Sequence, residues 1–160
     1  MTTTTENPVV RLTRTIPAPP ELVYRAWLEP DLIDRWMAPG ELSVIRSEVD
    51  ERVGGMHQVW QSRDGRDAGG FESEILELQP GRRIVFRWGF VGPERGADPS
   101  HASLLTLTFR DAPDGATELT LVHEQLAALA AAMPGMDGMI DTGWNMALDK
   151  LTEKVAELPR

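Results

Sequence analysis

Apolar and polar positions along the chain keep two different periods, and the change from one to the other divides it. Residues 9 to 16 alternate, with Thr and Arg set between Val10, Leu12 and Ile16, which predicts a first strand. Pro17, Pro19 and Pro20 end that strand, and a proline just before Glu21 suits the opening of a helix. The helix carries Val23, Ala26 and Trp27 on one face and stops near Pro30. Asp31 is placed to cap a second short helix with Ile33, Trp36 and Met37 on its apolar side, broken by Pro39-Gly40. Helices this short do not hold alone in water, so both must pack on a neighbour.

From residue 41 to 124 the period is two. Strands are predicted from 42 to about 50, 56 to 62, 71 to 78, 84 to 90, 104 to 110 and 118 to 123. Gly54-Gly55, Asp64-Gly65, Pro80-Gly81 and Asp114-Gly115 supply the turns between them, and residues 91 to 100 read as a long loop of turn formers. Consecutive strands joined by short turns make an antiparallel meander. Parity puts Ile84, Phe86 and Trp88 on one face, opposite Val85 and Arg87. The spacing returns to three and four over 139 to 158, where Ile140, Trp144, Ala147, Leu148, Leu151, Val155 and Leu158 form one stripe. Residues 125 to 138, rich in Ala and Met, read as a lid or lead-in, and residues 1 to 8 as a disordered tail. The fold class is therefore α+β, with a sheet whose apolar face the long helix covers.

Composition restricts the partners. The 160 residues suit one domain, from residue 9 to 160, able to bury a core without staples. With no cysteine, disulfides, thiolate metal sites and cysteine nucleophiles are excluded. No apolar run reaches the length of a membrane span, and the N-terminus lacks the pattern of a secretory signal, so the expected location is cytoplasmic. Sixteen Lys and Arg against 25 Asp and Glu leave a net charge of −9, which opposes a nucleic-acid partner. Lys150 and Lys154 are the only lysines, an arginine bias that points to a GC-rich bacterial genome. His57, His101 and His123 show no metal-ligand spacing, so neither a metal nor a cofactor is expected.

Five segments together carry a resemblance: PAPPELVYRAWLEPDLIDRWMAPG at 17 to 40, DERVGG at 50 to 55, EILELQPGRRIVFRW at 74 to 88, TELTLVHE at 117 to 124 and GWNMALDKL at 143 to 151. In order, and over nearly the whole chain, they resemble the family named for the activator of Hsp90 ATPase, within the START/polyketide-cyclase (SRPBCC) superfamily. The resemblance implies a helix-grip fold: a curved antiparallel β-sheet wrapped around a long C-terminal α-helix, two short helices after the first strand, and a cavity between sheet and helix. Members of the superfamily bind lipids or hormones, act as cyclases, or assist chaperones. The eukaryotic activators carry an additional N-terminal domain that 160 residues do not accommodate.

Against that fold, the candidate cavity residues are Trp144, His123, His57, Phe86, Trp88, Trp36, Met139 and Leu148. Trp144 is either core or cavity wall; Gly143 before it would let helix and sheet approach closely. Trp27 and Trp36 either anchor the short helices or stand at the cavity mouth. The inward or outward aim of Trp60 and Trp88 turns on register. His123 and His57 are the polar groups able to orient a ligand, and Met133, Met136, Met139 and Met146 suit either an adaptable pocket or gap filling. Glu74 is the candidate general base. The expected function is binding of a small hydrophobic or aromatic ligand. The alternatives are a cyclase or dehydratase-type enzyme using a cavity His or Glu, and a chaperone interaction module using the open sheet edge. A monomer or homodimer is expected.

Overall fold

The computed structural model describes residues 9–91, 102–132 and 135–158. The predicted tail, the predicted loop after Val91, His101 and Met133 lie outside them. The elements are β1 (Val10–Ile16), α1 (Pro20–Ala26), α2 (Pro30–Trp36), β2 (Ser43–Val49), β3 (Met56–Arg63), β4 (Arg66–Gln79), β5 (Arg83–Trp88), β6 (Phe90–Val91), β7 (Ser103–Ala112), β8 (Ala116–Glu124), α3 (Ala127–Ala132) and α4 (Met136–Ala156). The strands form one antiparallel sheet in the order β1-β8-β7-β5-β4-β3-β2, with β6 pairing to β4. It curls as a half-barrel around α4, the helix-grip arrangement.

Most departures from the predicted elements follow from proline and glycine. Glu29, not Asp31, occupies the cap of α2, because Pro30 takes the first helical position, where its missing N–H costs nothing; Asp31 sits in the first turn. Strand β4 starts at Arg66 rather than 71. Gly69 and Gly70 look like breakers in sequence, but with φ of 87° and 147° they pass through an irregularity in the β3–β4 ladder. The strand predicted over 84 to 90 divides at Gly89, so that Phe90 and Val91 pair with Phe71 and Gly70 of β4. α4 begins at Met136, and α3 occupies the predicted lead-in.

The concave face is set by register. Val59 pairs with Phe71 and His57 with Ser73. Further across, Ile75, Phe86, Leu105, His123 and Val10 succeed one another in a row over five strands. Against this face lies the stripe of α4, in which Ile140, Trp144, Ala147, Leu148, Leu151 and Val155 are all buried. Burial of these apolar side chains holds helix to sheet, the Ile, Leu and Val members contributing about 1.5–3 kcal/mol each when fully covered. Arg14 of β1 adds a polar tie: its Nη1 donates to Asp149 Oδ1 at 2.6 Å and its Nη2 to Asn145 Oδ1 at 2.8 Å. The short helices close one end of the curl. Trp36 Nε1 donates to Ala26 O, locking α2 to α1, and the Trp36 ring meets Trp27 edge-on at 4.6 Å.

Candidate functional site

Strands β4 and β5, the end of α1 and helix α4 bring aromatic side chains together. Phe71 lies 5.3 Å from Trp88 and 6.1 Å from Trp144, and Trp27 lies 5.7 Å from Trp144, all measured between ring centroids. His123 stands behind this layer, fully buried. Trp144 Nε1, which can only donate, gives its hydrogen to His123 Nδ1 at 3.0 Å. Nδ1 therefore carries the lone pair, and Nε2–H donates to Ser103 Oγ at 2.7 Å. Ser103 Oγ in turn donates to Trp88 O at 3.5 Å. The chain of bonds uses both ring nitrogens of a neutral imidazole, and burial pushes its pKa down to about 3. His57, also buried, donates from Nε2 to Trp27 O at 2.8 Å, and burial lowers its pKa to about 4.

In front of the aromatic layer is a cavity of about 400 Å³ between the sheet and the N-terminal half of α4. Its walls come from Phe71, Trp88 and Phe90 of the sheet, Ile140, Gly143, Trp144 and Ala147 of the helix, and Met37, Pro39 and Leu42 after α2. Gln61 is the buried polar member, held by its Nε2 donating to Met37 O at 3.0 Å. Arg63 and Met139 stand at the rim, both exposed, so the cavity reaches solvent. Deeper in, a small void touches Trp27, His57, Ser73 and Phe86, and shares Met37, Phe71, Trp88 and Trp144 with the cavity.

The structure divides the eight candidates. Trp144, Trp88 and Met139 line the cavity; His57 and Phe86 reach only the inner void; His123, Trp36 and Leu148 line neither. His123 is covered by Trp88, 4.8 Å away and edge-on, and by Trp144, and so does not itself face the cavity. Leu148 is fully buried in the core, and Trp36 serves as the anchor between the short helices. Trp60 lies on the outer face beneath the Arg46 guanidinium, so the register turns it away from the cavity and Trp88 toward it. Gly143 faces Pro39, where a Cβ would sit 3.8 Å from Pro39 Cγ; it opens the cavity wall rather than bringing helix and sheet together. Of the four methionines, Met139 is at the rim and Met146 is exposed beside Gly40.

Sequence reading missed Gln61, Arg63, Phe71, Phe90 and Met37. Parity with His57 and Val59 places Gln61 and Arg63 on the concave side once β3 is known to face inward, but the sequence alone leaves that choice open. The Glu74 side chain is 43 % exposed on the outer face, with Arg87 Nε 3.6 Å away, so it does not face the cavity where a general base would have to act. Among the described residues no three His, Asp or Glu side chains gather as metal ligands, and no helix is long and apolar enough to cross a membrane.

A curved antiparallel sheet closed around one long helix, with an aromatic-walled cavity between them, defines the helix-grip class. Within it, the chain belongs to the family of activator of Hsp90 ATPase homolog 1-like proteins, whose model matches residues 17–156. Protein CV1439 from Chromobacterium violaceum is 30% identical, with a TM-score of 0.74 over 92% of this chain and 96% of that one. Protein Ms6760 from Mycobacterium smegmatis is 20% identical, with a TM-score of 0.73 over 96% and 93%. An Hsp90 activator from Plasmodium falciparum, PFC0360w, shares the fold at 22% identity and a TM-score of 0.71, over 92% and 96%. No curated protein matches the chain.

Proposed function

We propose that the protein binds a small hydrophobic or aromatic molecule in the cavity between sheet and α4. The observation that carries this reading is the cavity itself: about 400 Å³, walled by Phe71, Trp88, Phe90 and Trp144, and open at a rim of Met139 and Arg63. That volume falls within the range of about 300–1,000 Å³ typical of small-molecule sites, which are mostly apolar with a few placed polar groups. Burial of apolar ligand surface, at about 25 cal/mol per Å², would drive association before its ordering costs are subtracted. The family and its superfamily fold, known for ligand binding, support the same reading. Acid–base catalysis has less to rest on, because His123 has both nitrogens engaged and Glu74 is turned outward. Native mass spectrometry of protein purified from its own host, followed by extraction, tests the proposal. A reproducible apolar compound in the extract is the expected result. An empty, stably folded protein would contradict it and point to a protein partner instead.

A further inference from the structure

At the open end of the cavity the β3–β4 hairpin carries two arginines. Among the described residues lining the cavity, Arg63 is the charged one. Arg66 stands directly opposite it across the ladder, so the two side chains leave the hairpin on the same face. Like charges directly opposite in a sheet repel. Among the described residues neither guanidinium takes part in an ion pair or a side-chain hydrogen bond, in a chain whose net charge is −9. The nearby Asp67 does not neutralise them: it accepts from Gly69 N at 2.8 Å and pairs with Ser62, a register position of the opposite face. Between this rim and the aromatic floor, the described wall residues offer the buried Gln61 amide and the indole N–H of Trp88, which is buried without a hydrogen-bond partner among them. Polarity therefore runs one way, from a cationic mouth to an apolar interior.

We infer that the ligand is an amphipathic acid, with its hydrophobic or aromatic body among Phe71, Trp88 and Trp144 and one carboxylate at the mouth, paired with Arg63 and flanked by Arg66. This rests on the binding reading above and specifies the chemistry of that same site. A guanidinium presents its N–H donors in a planar fork that matches a carboxylate, and such charge-assisted bonds are roughly twice as strong as neutral ones. A carboxylate between the arginines also offsets their mutual repulsion. A cationic amphiphile would meet that repulsion in full, so the mouth excludes as well as attracts.

The test uses three compounds with one aromatic body: 1-naphthylacetate, 2-(1-naphthyl)ethanol and 2-(1-naphthyl)ethylamine, each titrated calorimetrically into the intact protein. The acid is expected to bind about tenfold tighter than the alcohol, and the amine weakest. The acid's advantage should shrink as salt is raised, because the mouth is exposed. In Arg63→Gln/Arg66→Gln, two exposed positions, the alcohol should keep its affinity while the acid falls to the same level. Equal binding of acid and alcohol by the native protein overturns the inference and leaves the cavity as a site for neutral molecules; an acid preference that survives the double substitution also overturns it, because another group then holds the carboxylate. Failure of all three compounds to bind strikes the binding reading itself, and the inference with it.

Discussion

The two buried histidines are the residues whose chemistry the fold changes most. Each is neutral because burial opposes its charged form, with pKa values near 4 for His57 and 3 for His123 against 6.5 for a free imidazole. Between pH 6.5 and those values the unfolded chain binds a proton that the folded chain refuses, so stability is complete above pH 6.5 and falls as the pH drops. Each histidine adds a slope of about 1.4 kcal/mol per pH unit within that window. Urea unfolding at stepped pH should show the combined slope between pH 6 and 5, and His57→Gln, whose amide can still donate to Trp27 O, should roughly halve it. A pH-independent stability across that interval would mean that the histidines are solvated in the native state. The sequence singled out both residues as polar groups able to orient a ligand, but left open which face of the sheet each takes. What it could not supply was their partners, Trp27 O lying 30 positions away and Trp144 21 positions away.

At the scale of elements, the β2–β3 connection shows how a local motif fixes distant packing. Gly54 N donates to Ile75 O and Ile75 N to Gly55 O, which docks the turn on β4. Glu51, in the same segment, accepts both Arg25 Nη groups at 2.7 Å, tying the turn to α1. A Cβ at Gly55 would lie 2.0 Å from Asp50 O, a backbone atom that cannot step aside, whereas at Gly65, with φ of 79°, nothing stands within 4 Å. Gly65→Ala should therefore cost only the left-handed penalty of about 1–2 kcal/mol. Gly55→Ala should cost clearly more, as read from the midpoints of chemical denaturation; equal losses would show that the turn can shift. The turn itself was legible from Gly54-Gly55. The lengthened β4 was not, because its glycine pair reads locally as a terminator while the ladder with β3 carries the strand through.

For the whole molecule, the order of elements and the covering helix were readable because period two and period three-to-four patterns are strong over long segments. The family resemblance supplied the curvature and the cavity. The cavity's composition was less accessible, since it is assembled from residues far apart in sequence: Met37, Gln61, Phe71, Trp88 and Gly143. A parity argument sorts residues within a strand, but the unfilled space depends on how closely α4 and the segment after α2 approach the sheet. Trp144 shows the consequence. Its ring lines the cavity while its N–H holds His123, so it is wall and core at once.

Gly143 is the position from which to ask whether this cavity is the binding site. A side chain there enters the cavity, with Pro39 as its nearest neighbour at 3.8 Å, and replacing a helix-interior glycine favours the helix by up to about 1 kcal/mol. Calorimetric titration of 2-(1-naphthyl)ethanol into the native protein and into Gly143→Leu, with thermal unfolding of both, separates blockage from misfolding. The account predicts saturable binding with a negative heat-capacity change in the native protein. In Gly143→Leu it predicts at least a tenfold loss of affinity with no fall in Tm. Undiminished binding in a correctly folded Gly143→Leu would place the ligand elsewhere and contradict the account.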